Sequence, residues 1–146
     1  MTGIRDLDGL ELGPSAWQEI TQERVDAFAE ATGDRQWIHT DPARAAAGPF
    51  GTTIAHGYLT LSLCASLLGE VLHVDGYALT VNYGVNRVRF PAPVPVGSRV
   101  RGRFTVVSVD EVAGGEQAVI EATVEREGSE KPVCVAELVL RFLRGA

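Results

Sequence analysis

Apolar residues recur at two different periods along this chain of 146 residues. Up to about Leu72 the spacing is helical, and from Tyr77 onward it alternates as in strands. Ala16–Ile20 predicts a short strand. Thr21 then stands as a helix N-cap, with Glu23 favourable in the first turn. Val25, Phe28, Ala29 and Thr32 share one face, and Gly33 stands where a left-handed C-terminal residue belongs, so a helix is predicted over 22–32. An irregular stretch is expected over Asp34–Thr40, with Trp37-Ile38 extended. Asp41-Pro42 reads as N-cap plus first-turn proline of a short helix over 42–47, ended by Gly48-Pro49. Phe50–His56 is expected to be a loop. Gly57–Leu68 carries no charge on any face, which predicts a central helix buried on most sides.

Four strands are predicted downstream, at about 77–90, 98–109, 117–126 and 133–144. In the third, Ala118, Ile120, Ala122 and Val124 alternate with Val119, Glu121, Thr123 and Glu125. Gly114-Gly115 and Gly128-Ser129 mark tight turns, and Pro132 falls just before the last strand, where a missing N–H does no harm. The run Pro91-Ala92-Pro93-Val94-Pro95 belongs in a connection or at an edge. Short turns between strands need no crossover helices. The expected fold is therefore α+β: one antiparallel sheet curved around one long apolar helix, in a single domain over residues 1–146 without repeats or linkers.

Composition narrows the class. Hydrophobic residues are 45% and charged residues 22%, which excludes a disordered or collagen-like chain and a cysteine-stapled scaffold. The net charge of −6 argues against a nucleic-acid partner, because phosphate repels it. The two cysteines, Cys64 and Cys134, sit in apolar runs and read as buried free thiols. The uncharged stretch 45–69 is interrupted by Gly48, Pro49, Gly51 and His56, so its apolar part is shorter than the roughly 20 residues a membrane span needs. Met1–Gly13 carries charges and no apolar stretch, so no signal peptide is expected, and a soluble cytoplasmic protein is.

Candidate chemistry begins at Asp34 and His39. On a continuous helix a five-residue gap would set their side chains apart, but Gly33 stops the helix and a bent loop can bring both into one pocket. A carboxylate with an imidazole is an acid–base pair; the alternative is a turn aspartate and a surface histidine. Asp41 is better explained as an N-cap. His56-Gly57 opens the apolar helix, where free N–H groups and the helix dipole suit an oxyanion, or where glycine meets a packing need. His56 itself reads as a structural hydrogen-bonding residue. The spacing of Asp34, His39, Asp41 and His56 matches no metal-binding pattern, and no metal is expected. Arg99, Arg101 and Arg103 share one strand face, as do Arg87 and Arg89; these are either a solvated sheet surface or a means of capturing phosphate.

The runs Ala31-Thr32-Gly33-Asp34-Arg35-Gln36-Trp37-Ile38-His39 with Ala45, Pro49–Leu63, and Asn82–Val94 resemble the MaoC-like dehydratases, which include the (R)-specific enoyl-CoA hydratases (hydratase 2). The likeness spans roughly Trp17 to Leu143 and is nearest the nodulation-protein-N-like single-domain subgroup. It implies the hot-dog fold and a homodimer with the active site at its interface. It also implies Asp34 and His39 as catalytic pair and the Gly57 N–H as oxyanion donor. The implied reaction is reversible syn addition of water to a trans-2-enoyl-CoA, giving a (R)-3-hydroxyacyl-CoA, with no cofactor. Arg87 and Arg89 are then candidates for the phosphates of the acyl-CoA. The alternatives are a 3-hydroxyacyl-[acyl-carrier-protein] dehydratase, a hot-dog thioesterase, and a non-catalytic acyl-CoA binding module. In one place the chain departs from the family: Gln36-Trp37 stands where Asn-Pro is usual, which bears on the shape of the pocket beside His39.

Overall fold

The computed structural model describes residues 1–145. A 3-10 turn at Ile4–Leu7 precedes two short strands, β1 (Glu11–Leu12) and β2 (Gln18–Glu19). Four helices follow: α1 (Gln22–Thr32), α2 (Trp37–Thr40), α3 (Pro42–Ala46) and α4 (Gly57–Val71). The chain then continues as β3 (Leu79–Arg89), β4 (Arg99–Val112), β5 (Gly115–Arg126) and β6 (Cys134–Leu143).

The strands form one antiparallel sheet of order β1-β4-β5-β6-β3, with β2 also paired to β4. Gly114, at φ 86°, turns β4 into β5. The alternation read in β5 is that of the sheet: Ala118, Ile120, Ala122 and Val124 are fully buried. They meet Leu59, Leu63, Cys64, Leu67 and Leu68 of α4, together with Phe104 and Phe142. Each large apolar side chain so buried contributes roughly 1.5–3 kcal/mol. This is the hot-dog arrangement of a helix held by a curved sheet.

The caps of α1 are as predicted. The Thr21 hydroxyl accepts from the Arg24 N–H, and Gly33 closes the helix at φ 81°. Asp41 caps α3 through the Arg44 N–H at 3.0 Å.

Three expectations are corrected. Trp37-Ile38 is not extended. Residues 37–40 form the single turn α2, closed by the Asp41 N–H on the Trp37 carbonyl and supported by the Thr40 hydroxyl on the Gln36 carbonyl. The Trp37 ring takes up space beside Gly48 and lies under the Arg44 guanidinium, 4.3 Å from the ring centre. The helix read over 57–68 runs on to Val71, and it is not buried on most sides: Tyr58, Ser62, Ala65, Ser66 and Gly69 form an open face. A lack of charge marked that face as coverable, and within one chain nothing covers it. Finally, the first residues, in which no element was read, hold the fully buried Ile4 and strand β1.

β3 is an edge strand with Leu79, Val81, Tyr83 and Val85 all exposed. Its pairing with β6 is interrupted by two register shifts, between Asn82 and Gly84 and between Val85 and Arg87. No helix among the described residues is long and apolar enough to cross a membrane.

Candidate active site

Three chain segments converge on His39. The imidazole is buried at the end of α2, and its Nδ1 lies 2.7 Å from the Ile54 carbonyl oxygen. A carbonyl can only accept, so Nδ1 carries the proton and Nε2 of the neutral ring keeps a free lone pair. Burial lowers the His39 pKa below the usual histidine value, and the neighbouring His56 adds to this. The Ile54 hydrogen bond and the Asp34 carboxylate oppose it without prevailing. This balance favours the neutral ring, whose Nε2 can accept a proton.

The backbone around it is fixed as well. Gln22, the first residue of α1, donates from its amide to the His39 carbonyl at 2.7 Å and accepts from the Thr53 hydroxyl at 2.6 Å. The Ile54 N–H donates back to Ile38, and the Ala55 N–H reaches Val94. The loop read over 50–56 is thus pinned between α2 and the segment before β4. Gln22 and Thr53 were missed in the sequence because a glutamine in a first turn and a threonine in a loop carry no pattern.

Asp34 follows the αL glycine and is partly exposed. One of its carboxylate oxygens, one ring nitrogen of His39 and one of His56 lie within 4.8 Å of one another. The pair read five residues apart is thus brought together, and His56 joins it. The His56 ring stacks on that of His39, centroids 3.8 Å apart and planes at 22°, and its Nε2–H donates to the Asp34 carbonyl at 2.9 Å. Two nearly parallel imidazoles direct their in-plane lone pairs along separate planes. They do not converge on one ion as tetrahedral coordination requires. Asp41, the other residue weighed as a ligand, is spent on its cap.

Gly57 is the first residue of α4, so its N–H has no carbonyl of its own helix to bond. It borders an apolar cavity of about 310 Å³ that Phe50, Ile54, Phe90 and Val94 also line. Packing explains the glycine too, since a Cβ there would press on the Phe90 ring.

The arginines separate into two groups. Arg99 pairs with Glu127, while Arg101 and Arg103 both reach Glu125 at 2.8 Å, and Trp17 lies under Arg101. That face is a neutralised ladder. Arg87 and Arg89 lie exposed on β3, where Arg89 bonds only the Val88 carbonyl among the described contacts.

Known proteins resemble this chain in sequence and in fold. The MaoC like domain family matches residues 8–129. A 3-hydroxyacyl-thioester dehydratase Z of Mycobacterium tuberculosis (strain ATCC 25618 / H37Rv) is 57% identical over 136 residues, covering 92% of this chain and 90% of that protein. Nodulation protein N of Rhizobium leguminosarum bv. viciae is 45% identical, over 90% of this chain and 83% of its own. Among solved structures, the (R)-hydratase from A. caviae superposes with a TM-score of 0.76 at 27% identity, covering 92% of this chain and 96% of that one. With the family match over most of its length and a relative 57% identical across 92% of it, the chain belongs to the MaoC-like dehydratase family.

Proposed function

We propose that the protein is an (R)-specific hydratase of trans-2-enoyl thioesters, a cytoplasmic hydro-lyase that adds and removes water at C2 and C3 of an acyl-CoA. The observation that carries this reading is the fixed tautomer of His39: Nδ1–H held by Ile54, Nε2 free, and the Asp34 carboxylate beside it. The names of the relatives, a dehydratase and a hydratase, support the same chemistry.

In the dehydration direction, His39 Nε2 takes the proton from C2, breaking C2–H and forming N–H. The electron pair moves onto the thioester oxygen, where the Gly57 N–H and the α4 dipole stabilise it. As the pair returns, C3–O breaks, and the hydroxyl leaves as water with the proton from Nε2. Asp34 holds the hydroxyl and balances the transient imidazolium. Hydration is the reverse: one water supplies both the oxygen at C3 and the proton at C2, on one face. The thioester itself acidifies C2, so this route needs no cofactor.

The open face of α4 and the exposed apolar row on β3 support a homodimer. The groove between them, lined by Leu61, Ala65, Leu68, Val85 and Leu138, has about 270 Å³ and is open to a second copy. The cavity beside Gly57 is lined by neither Asp34 nor His39, in keeping with a site completed across that interface. Arg87 and Arg89, free of carboxylate partners among the described contacts, are proposed to meet the CoA phosphates.

The test is loss of enoyl-thioester absorbance with crotonyl-CoA, longer enoyl-CoAs and carrier-protein thioesters. Wild type should turn over. Asp34→Asn should lose about 10²–10⁴ in rate while remaining folded. Wild-type turnover only on the carrier protein would move the substrate to that class, release of free thiol would mean a thioesterase, and binding without turnover would leave a binding module.

A further inference from the structure

His56 occupies the N-cap of α4, yet its side chain caps nothing. Residues favoured at that position accept from the second or third N–H of the helix. His56 turns the other way. Its ring is 2% exposed and lies between Phe28, at 4.9 Å between centroids, and His39, at 3.8 Å. Its Nε2–H bonds the main-chain carbonyl of Asp34, 22 residues earlier in the chain. Its Nδ1 is buried without a partner among the described residues.

Asp34 has little else to hold it. Among the described residues its carboxylate accepts only a long 3.5 Å contact from the Gln36 N–H, and its own N–H meets the Thr32 hydroxyl at 3.3 Å. A single ring therefore touches both members of the pair, one through a hydrogen bond and the other by stacking. We propose that His56 is a positioning residue that sets the distance and orientation of the Asp34 carboxylate relative to His39 Nε2. The inference rests on the hydratase reading above and deepens it, because errors of about 1 Å in such a pair can lower the rate about 10²-fold.

Two substitutions in the full chain separate this from a packing role. His56→Phe keeps a ring against His39 and removes the N–H; His56→Gln restores a donor. With crotonyl-CoA, His56→Phe should lower kcat by about 10- to 100-fold while KM changes less than about twofold. His56→Gln should recover part of that kcat despite losing the stack. An unchanged kcat in His56→Phe, or a His56→Gln no better than it, would overturn the proposal. A second readout needs no turnover. In the nuclear magnetic resonance titration of His39, His56→Phe should raise the midpoint, because the neighbouring imidazole that holds the His39 pKa down is gone while the Asp34 carboxylate remains. A midpoint unmoved in His56→Phe overturns the coupling. A wild type silent on every thioester, yet showing the shift, would reject the hydratase reading and leave the coupling standing.

Discussion

Gly57 and Phe90 approach so closely that a Cβ on Gly57 would sit 3.0 Å from two carbons of the phenylalanine ring. That contact brings the start of α4 against the end of β3. Phe90 is 40% exposed and can yield outward, so Gly57→Ala should cost only about 1 kcal/mol of stability, the low end of overpacking. Because the N–H is re-aimed, kcat should fall by about tenfold or more. Adding Phe90→Leu should return the stability and part of the rate. Wild-type kcat in Gly57→Ala would show that the Phe90 ring gives way and leaves the direction of the N–H unchanged.

His39 makes both stability and rate depend on pH, in a stated direction. Its folded pKa lies below the ordinary 6.5, chiefly through burial. The unfolded chain then binds this proton more readily, so stability rises with pH in that window. The contribution of His39 is fully present above about pH 6.5 and is lost as pH falls from there toward the folded value. Urea unfolding at pH 7.5 and at successively lower pH should show that loss, and His39→Gln should diminish it. With the neutral ring as the proposed acceptor, the acid limb of kcat/KM should likewise lie below 6.5.

Among the described residues, Arg87 and Arg89 differ from the arginines of β4 in lacking an acidic partner. Replacing both with Ala should raise KM for CoA thioesters and flatten its rise with salt, leaving kcat unchanged. Arg99→Ala and Arg103→Ala, which break the pairs with Glu127 and Glu125, should leave KM where it was. Equal effects from both sets would make charge in general, rather than β3, the determinant.

Leu67 is fully buried where α4 meets the sheet. Leu67→Ala should cost about 2–5 kcal/mol, read as a lower urea midpoint with an unchanged slope. A loss under 1 kcal/mol would mean that this side of the core refills the cavity.

The thiols of Cys64 and Cys134 share the same core. Hydrogen bonding to Cys134, together with burial, pushes the Cys64 thiol up, so it stays protonated and unreactive. A thiol reagent should label neither cysteine in the native protein and both after unfolding; labelling of the native protein would show that the helix leaves the sheet.

Features encoded over a few neighbouring residues were legible in the sequence. Thr21 and Gly33 mark both ends of α1 because a cap is a local hydrogen bond and a left-handed turn needs a glycine. Ala118–Val124 reveals its inward face because alternation follows directly from the pleat. Asp34, His39 and Gly57 could be named from motif likeness, and the sheet-wrapped helix followed from an uncharged segment ahead of four strands.

Tertiary structure alone decided the rest. His39 receives its tautomer from a carbonyl 15 residues away, and Asp34 is tethered by a histidine 22 residues away. No spacing rule reaches across such gaps, because loop closure depends on what the whole core brings together. The turn at 37–40 and the open face of α4 were misread for the same reason: Trp37 settles against Arg44 and Gly48, and an uncharged face is covered only if some other surface arrives to cover it.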